Sequence, residues 1–189
     1  AVEFAEAVYW LDTGQTAEGF VALRRTLAKH PRFHRARLNL AKLHMREGDY
    51  PAAARELQSL LGSDTPDRAE VWRLLAYSLR ETGQLAAAET AYRQAIVFFP
   101  EDRTLRLALL GCIIEQERFA EAIPLARKEL AIEPDKREFW GLLVNAELAS
   151  DRREKALLLL ECAQRLGAAD GPMLALLGDL YLDQNLPEP

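Results

Sequence analysis

Residues 69–100 read AEVWRLLAYSLRETGQLAAAETAYRQAIVFFP, and the way these residues alternate between apolar and polar decides the architecture. Val71, Trp72, Leu75, Ala76 and Leu79 recur at helical spacing and mark one apolar face. Glu81-Thr82-Gly83-Gln84 then stops the helix, with glycine supplying a left-handed turn. A second face follows at once in Leu85, Ala88, Tyr92, Ala95 and Ile96, and Pro100 ends it because proline has no N–H to continue the hydrogen-bond ladder. The stretch is therefore two antiparallel helices joined by a tight turn. Ala76 and Ala88 are small enough to let the helices approach closely, while Trp72 and Tyr92 fill the wider gaps beside that contact. Such a pair leaves apolar surface uncovered and must stack on neighbours of its own kind.

Those neighbours are written in the rest of the chain. Leu40, Leu75, Leu109, Leu143 and Leu177 follow one another at steps of 35, 34, 34 and 34 residues. Ala53, Ala88, Ala122 and Ala156 keep the same step, as do Pro31, Pro66, Pro100 and Pro134 to within a residue. Trp72 and Trp140 lie two periods apart with Arg106 in the slot between them. The spacing predicts eleven helices, at 2–13, 16–29, 33–46, 50–62, 67–81, 85–98, 102–116, 119–132, 136–149, 152–166 and 171–184.

At these residues the chain resembles the tetratricopeptide repeat (TPR) family. Trp72, Leu75, Ala88, Tyr92, Ala95 and Pro100 match the family pattern, with Ala76 where glycine is usual and Leu79 where tyrosine is. Looser copies run through Leu40, Gly48, Ala53 and Leu57, through Leu109, Ala122, Leu130 and Pro134, and through Trp140, Leu143, Ala156 and Leu160. Leu177, Gly178 and Tyr181 restore the first-helix signature in a final half repeat. The first copy departs most, with Glu6 in place of leucine and Gly19 in place of alanine, although Trp10, Gly14, Leu27 and Pro31 keep its frame. The resemblance implies an all-α, right-handed α-α superhelix of about 5.5 repeats forming one solenoid over residues 1–189. The repeats fall near 1–32, 33–66, 67–101, 102–135, 136–169 and 170–189, and first helices line the concave face.

Composition narrows the functional classes. Hydrophobic residues make up 49% of the chain and charged residues 28%, an ordinary balance for a folded domain of 189 residues. Apolar runs such as Leu157 to Leu160 are interrupted by charge or proline well short of the roughly 20 residues a membrane span needs. Cys112 and Cys162 sit on different expected helices, outside any CxxC or Cys/His spacing, and read as unpaired structural thiols. Because the chain begins at Ala1 rather than methionine, a signal, anchor or upstream domain can precede it, and the compartment stays open. The end at Asn185-Leu186-Pro187-Glu188-Pro189 falls where the partner of the last helix would begin. A longer parent chain, or self-association through that last helix, is the expectation it raises.

Catalytic patterns are missing. No GxGxxG or Walker-type loop, HExxH or GxSxG occurs, and Ser59, Ser63, Ser78 and Ser150 have no predictable His and carboxylate partners. His30, His34 and His44 share one stretch, but Pro31 breaks the geometry that would align the first two, so they read as surface histidines in a basic region. The carboxylate pairs Glu115/Glu117 and Asp179/Asp183 read as solvated helix faces. No enzyme activity, cofactor, metal site or small-molecule substrate is expected.

Binding remains. Arg24, Arg25, Lys29, Arg32, Arg35, Arg37, Lys42 and Arg46 precede the next acid, Glu47. Residues 1–100 carry 13 basic and 12 acidic groups, whereas 101–189 carry 11 and 17. By the family's geometry Arg35, Asn39, Lys42 and Arg46 form one groove-facing stripe, and Arg73, Tyr77 and Arg80 form another. Their spacings of three and four residues keep each set on one side of its helix. Such a wall suits carboxylates or phosphates through charge-assisted hydrogen bonds. The later stripes are Leu107, Gly111 and Ile114, then Gly141, Asn145 and Leu148. Leu107, Ile114 and Leu148 are apolar positions for a partner's side chains, and Asn145 matches an asparagine that often holds peptide backbone in the family. Each glycine costs its helix on the order of 1 kcal/mol relative to alanine, so either a bound chain or a neighbouring helix should approach there. The two-carboxylate clamp of chaperone-binding relatives is absent, since Leu38, Lys42 and Leu74, or Phe4 and Val8 one copy earlier, stand at its positions. A protein or peptide partner with acidic and apolar segments is the expectation. Nucleic-acid binding through the basic first half is the weaker alternative, disfavoured by the net charge of −5.

Overall fold

The computed structural model describes residues 2–62 and 67–183. Its eleven helices are α1 Val2–Asp12, α2 Thr16–Lys29, α3 His34–Arg46, α4 Tyr50–Leu61, α5 Arg68–Glu81, α6 Leu85–Phe98, α7 Arg103–Glu115, α8 Phe119–Ile132, α9 Arg137–Ala149, α10 Arg153–Arg165 and α11 Gly171–Asp183. Each expected helix is present with its ends moved by at most one residue. Ser63, Pro66 and the terminal run 185–189 lie outside the described residues. No strand occurs among the described residues, and none of the helices is long and apolar enough to cross a membrane.

The turns carry the period more strictly than the side chains do. Gly14, Gly48 and Gly83 have φ of 78°, 77° and 74°, and Glu117 and Asp151, at the next two steps of the period, have 59° and 55°. At each turn the left-handed residue donates its N–H three residues back and its successor donates five back, as in Gly48 N to Met45 O at 3.1 Å and Asp49 N to His44 O at 2.9 Å. This Schellman closure satisfies two orphan carbonyls of the first helix and redirects the chain into the second. In the fourth and fifth repeats the same closure is held by residues with a Cβ, which lose energy in that conformation.

The helices gather into two compact units, residues 1–105 and 106–189. In the first, α1 to α6 each pack on the next in sequence, and α3 also touches α5. In the second, α8 to α11 do likewise. Ala53, Ala88, Ala122 and Ala156 are all fully buried, as the close-approach reading requires. The second unit's core joins Leu110, Ile113, Phe139, Leu143, Leu160 and Leu177. The Trp slot is filled in two chemically distinct ways. Trp140 Nε1 donates to Pro134 O at 2.9 Å, whereas Arg106 Nε donates to Glu129 of α8 at 2.8 Å. Arg37, in the same slot of the second repeat, pairs with Glu56 at 2.7 Å and donates to Pro31 O at 2.8 Å.

Candidate functional site

Helical spacing brings the α3 stripe together as expected. Arg35 and Arg46 are exposed, and Asn39 and Lys42 half-buried. Asn39, Lys42 and Arg46 line a hollow of about 240 Å³ with Val8, Leu11 and Asp12 of α1. Arg35 and Arg46 make no ion pair with any described residue. On α5, Arg73 and Tyr77 are exposed and Arg80 is half-buried. The Tyr77 ring stands edge-on to Tyr50 of α4, with centroids 5.7 Å apart. Its phenol is held above the ordinary tyrosine pKa, first by the hydrogen bond with Tyr50, then by desolvation and the nearby Glu81 carboxylate.

Two acids interrupt the basic wall. Glu70, in the first turn of α5, places Oε1 2.9 Å from Lys42 Nζ and 3.7 Å from Arg73 Nη2. Asp12 shares the hollow with Lys42 and Arg46. The Glu70–Arg73 contact is legible in sequence as an i,i+3 pair. The Glu70–Lys42 contact depends on α3 meeting α5 and has no local sequence signal.

The second unit's stripe is less open than its residue types suggest. Leu107, Ile114 and Leu148 are half-buried and pack against the core cluster, so the fold takes up part of each side chain and leaves the rest open. Asn145 is exposed on α9. At Gly141 it is a neighbouring helix that comes close, since a Cβ there would meet Met173 Cε of α11 at 3.2 Å, the flexible tip of a side chain.

Two polar groups need correction or addition. His44 is no surface histidine: it is buried at the end of α3, with Nδ1 3.4 Å from Asp49 Oδ2 and its ring edge-on to Phe20 at 5.0 Å. The turn into α4 folds Asp49 back over it, and Asp49 also caps α4 by accepting from Ala52 N at 3.1 Å. Glu147 of α9 is fully buried, with Oε1 accepting from Arg127 at 3.0 Å and Oε2 from Arg152 at 3.2 Å. The period marks the burial of Glu147, which stands in one 34-residue column with the buried Leu79, Ile113 and Tyr181, whereas its arginines, from α8 and from the following turn, have no local sequence signal. Cys112 is buried and Cys162 exposed, and neither is in a disulfide. No group of three or more His, Cys, Asp or Glu among the described residues is placed to hold a metal ion.

Comparison with known proteins agrees with this architecture. A tetratricopeptide repeat family model matches residues 4–67, 38–103 and 74–136. Human tetratricopeptide repeat protein 34 is 38% identical over 78 residues, which cover 41% of this chain and 14% of that protein. The TPR repeat-containing protein YpiA of Bacillus subtilis is 26% identical over 137 residues, 72% of this chain and 32% of that one. The chain thus spans less than a third of the length of either relative. Among solved structures, MamA superposes with a TM-score of 0.76 at 19% identity, covering 87% of this chain and 90% of MamA. YrrB, described as a TPR protein with an unusual peptide-binding site, gives 0.78 at 14% identity over 92% and 89%. With its turns, its buried alanine column and the eleven helices of its described residues in register with this pattern, the chain belongs to the tetratricopeptide repeat family.

Proposed function

We propose that the chain is a non-catalytic scaffold that holds a partner protein or peptide on its first helices. In the first unit Arg35, Asn39, Lys42, Arg46, Arg73, Tyr77 and Arg80 read acidic groups. In the second, Leu107, Ile114, Asn145 and Leu148 meet apolar side chains and backbone. The observation that carries this reading is the α1–α3 hollow, where Asn39, Lys42 and Arg46 converge beside apolar Val8 and Leu11 while Arg46 is free of any ion pair. Two cations and an amide, set against one acid, Asp12, and beside apolar side chains, suit an acidic segment followed by an apolar one.

Affinity capture from a lysate of the source organism, comparing the native chain with an Arg73→Glu/Arg80→Glu variant, tests the reading. A protein enriched by the native chain and lost from an equally helical variant supports it; an identical captured set sinks it. Raising salt separates a protein partner from nucleic acid, whose phosphate contacts lose affinity steeply. Self-association through α11 is the second reading, supported by Leu174 and Leu182, which stand 43% and 67% exposed beside a hollow of about 490 Å³. Sedimentation of the native chain against Leu174→Lys/Leu182→Lys checks it, and a concentration-independent monomer in both contradicts it.

A further inference from the structure

A carboxylate already sits on the basic wall, and it belongs to the protein. Glu70 Oε1 touches Lys42 Nζ at 2.9 Å and Arg73 Nη2 at 3.7 Å, so one internal oxygen holds two of the wall's cations. Both partners keep access to water, with Lys42 40% and Glu70 33% exposed, which makes the pair exchangeable rather than locked. Arg46, one helical turn beyond Lys42 on the same stripe, is unpaired. Their Cα atoms are about 6 Å apart along the α3 axis. Alternate residues of an extended chain, which share one face, are spaced by about 6.6 Å.

Resting on the acidic-partner reading above, we propose that Glu70 is a built-in competitor that occupies the Lys42 subsite of an extended acidic segment. The partner's first acid lands on Arg46, and its second, two residues along, displaces Glu70 from Lys42. Glu70 thereby sets the acidity a partner needs: a single carboxylate takes the Arg46 position, whereas alternating acids exchange with Glu70 and engage both cations. Arg73, released in the same exchange, turns to the partner as well.

The test is a fluorescence-anisotropy titration at low ionic strength with a labelled octapeptide of glutamate alternating with serine. Wild type is compared with Glu70→Gln, with Glu47→Gln as a charge control from an exposed position, and with Lys42→Met alone and combined with Glu70→Gln. Equal thermal unfolding verifies folding of each. Glu70→Gln is expected to bind roughly 1.5-fold to fivefold tighter, the range of an exposed ion pair. Glu47→Gln should change affinity much less, and the Glu70→Gln gain should vanish once Lys42 is methionine. A gain that is absent, that equals the Glu47→Gln effect, or that survives loss of Lys42 overturns the competitor role. If Arg35→Glu/Arg46→Glu still weakens the wild-type complex in that case, the acidic-partner reading stands without it. If neither wild type nor Glu70→Gln binds the peptide, both fall.

Discussion

Glu147 illustrates a pairing that its own helix does not announce. Its carboxylate is fully buried and is neutralised by Arg127 and Arg152, whose own side chains are half open to solvent. Removing both arginines leaves a buried charge without partners. The Arg127→Ala/Arg152→Ala variant is predicted to lose about 2–3 kcal/mol in urea unfolding, while Glu147→Met, which removes the charge and fills the space, loses less. An unchanged midpoint for the double variant would mean that the carboxylate is hydrated. Two glycines divide by what faces them. At Gly19 a Cβ would meet Leu11 Cγ at 2.8 Å and Cδ2 at 2.6 Å, so Gly19→Ala is predicted to destabilise by about 1–2 kcal/mol. At Gly141 the obstacle is the terminal methyl of Met173, which can yield, so Gly141→Ala should gain up to about 1 kcal/mol of helix propensity in the same measurement. Much of the candidate site was legible at this scale because Arg35, Asn39, Lys42 and Arg46 obey helical spacing. The hidden part, Glu70 on Lys42 and Asp49 over His44, arises where one helix meets another or a turn folds back, and residue spacing along one helix carries no record of such contacts.

At the level of elements the period governs the turns even where glycine is lost. The helices were readable to within a residue because apolar faces, Gly83-type stops and Pro100-type breaks agree with one another along the chain. The left-handed conformations of Glu117 and Asp151 were less visible, since neither residue type demands a positive φ; only their places 34 and 68 residues after Gly83 point to it. Each gives up backbone energy to keep the closure that Gly48 and Gly83 adopt freely. Glu117→Gly and Asp151→Gly are therefore predicted to stabilise the second unit by about 0.5–1 kcal/mol each. Thermal unfolding followed by circular dichroism checks this, and lowered midpoints would show that the side chains compensate the strain. The Trp slot makes a related point, because Arg37 and Arg106 replace an indole by a guanidinium that reaches carboxylates on the following helix.

Across the whole molecule charge is unevenly shared, with 13 basic against 12 acidic groups in residues 1–100 and 11 against 17 in 101–189. On the proposed reading an acidic partner is drawn to the first part, where the unpaired arginines of α3 lie, and repelled elsewhere. That polarity could be counted in the sequence, whereas the acids that trim it, Glu70 and Asp12, needed the packed helices to place them. The central claim is that the α3 wall recognises an acidic partner segment, and the most direct measurement is the affinity of the captured partner for Arg35→Glu/Arg46→Glu. These two arginines hold no ion pair within the described fold, so reversing them should leave stability intact. A loss of about tenfold or more in affinity, with unchanged helicity, is the result predicted for charges that face the partner. Unchanged affinity would contradict it and make the wall a solvated face.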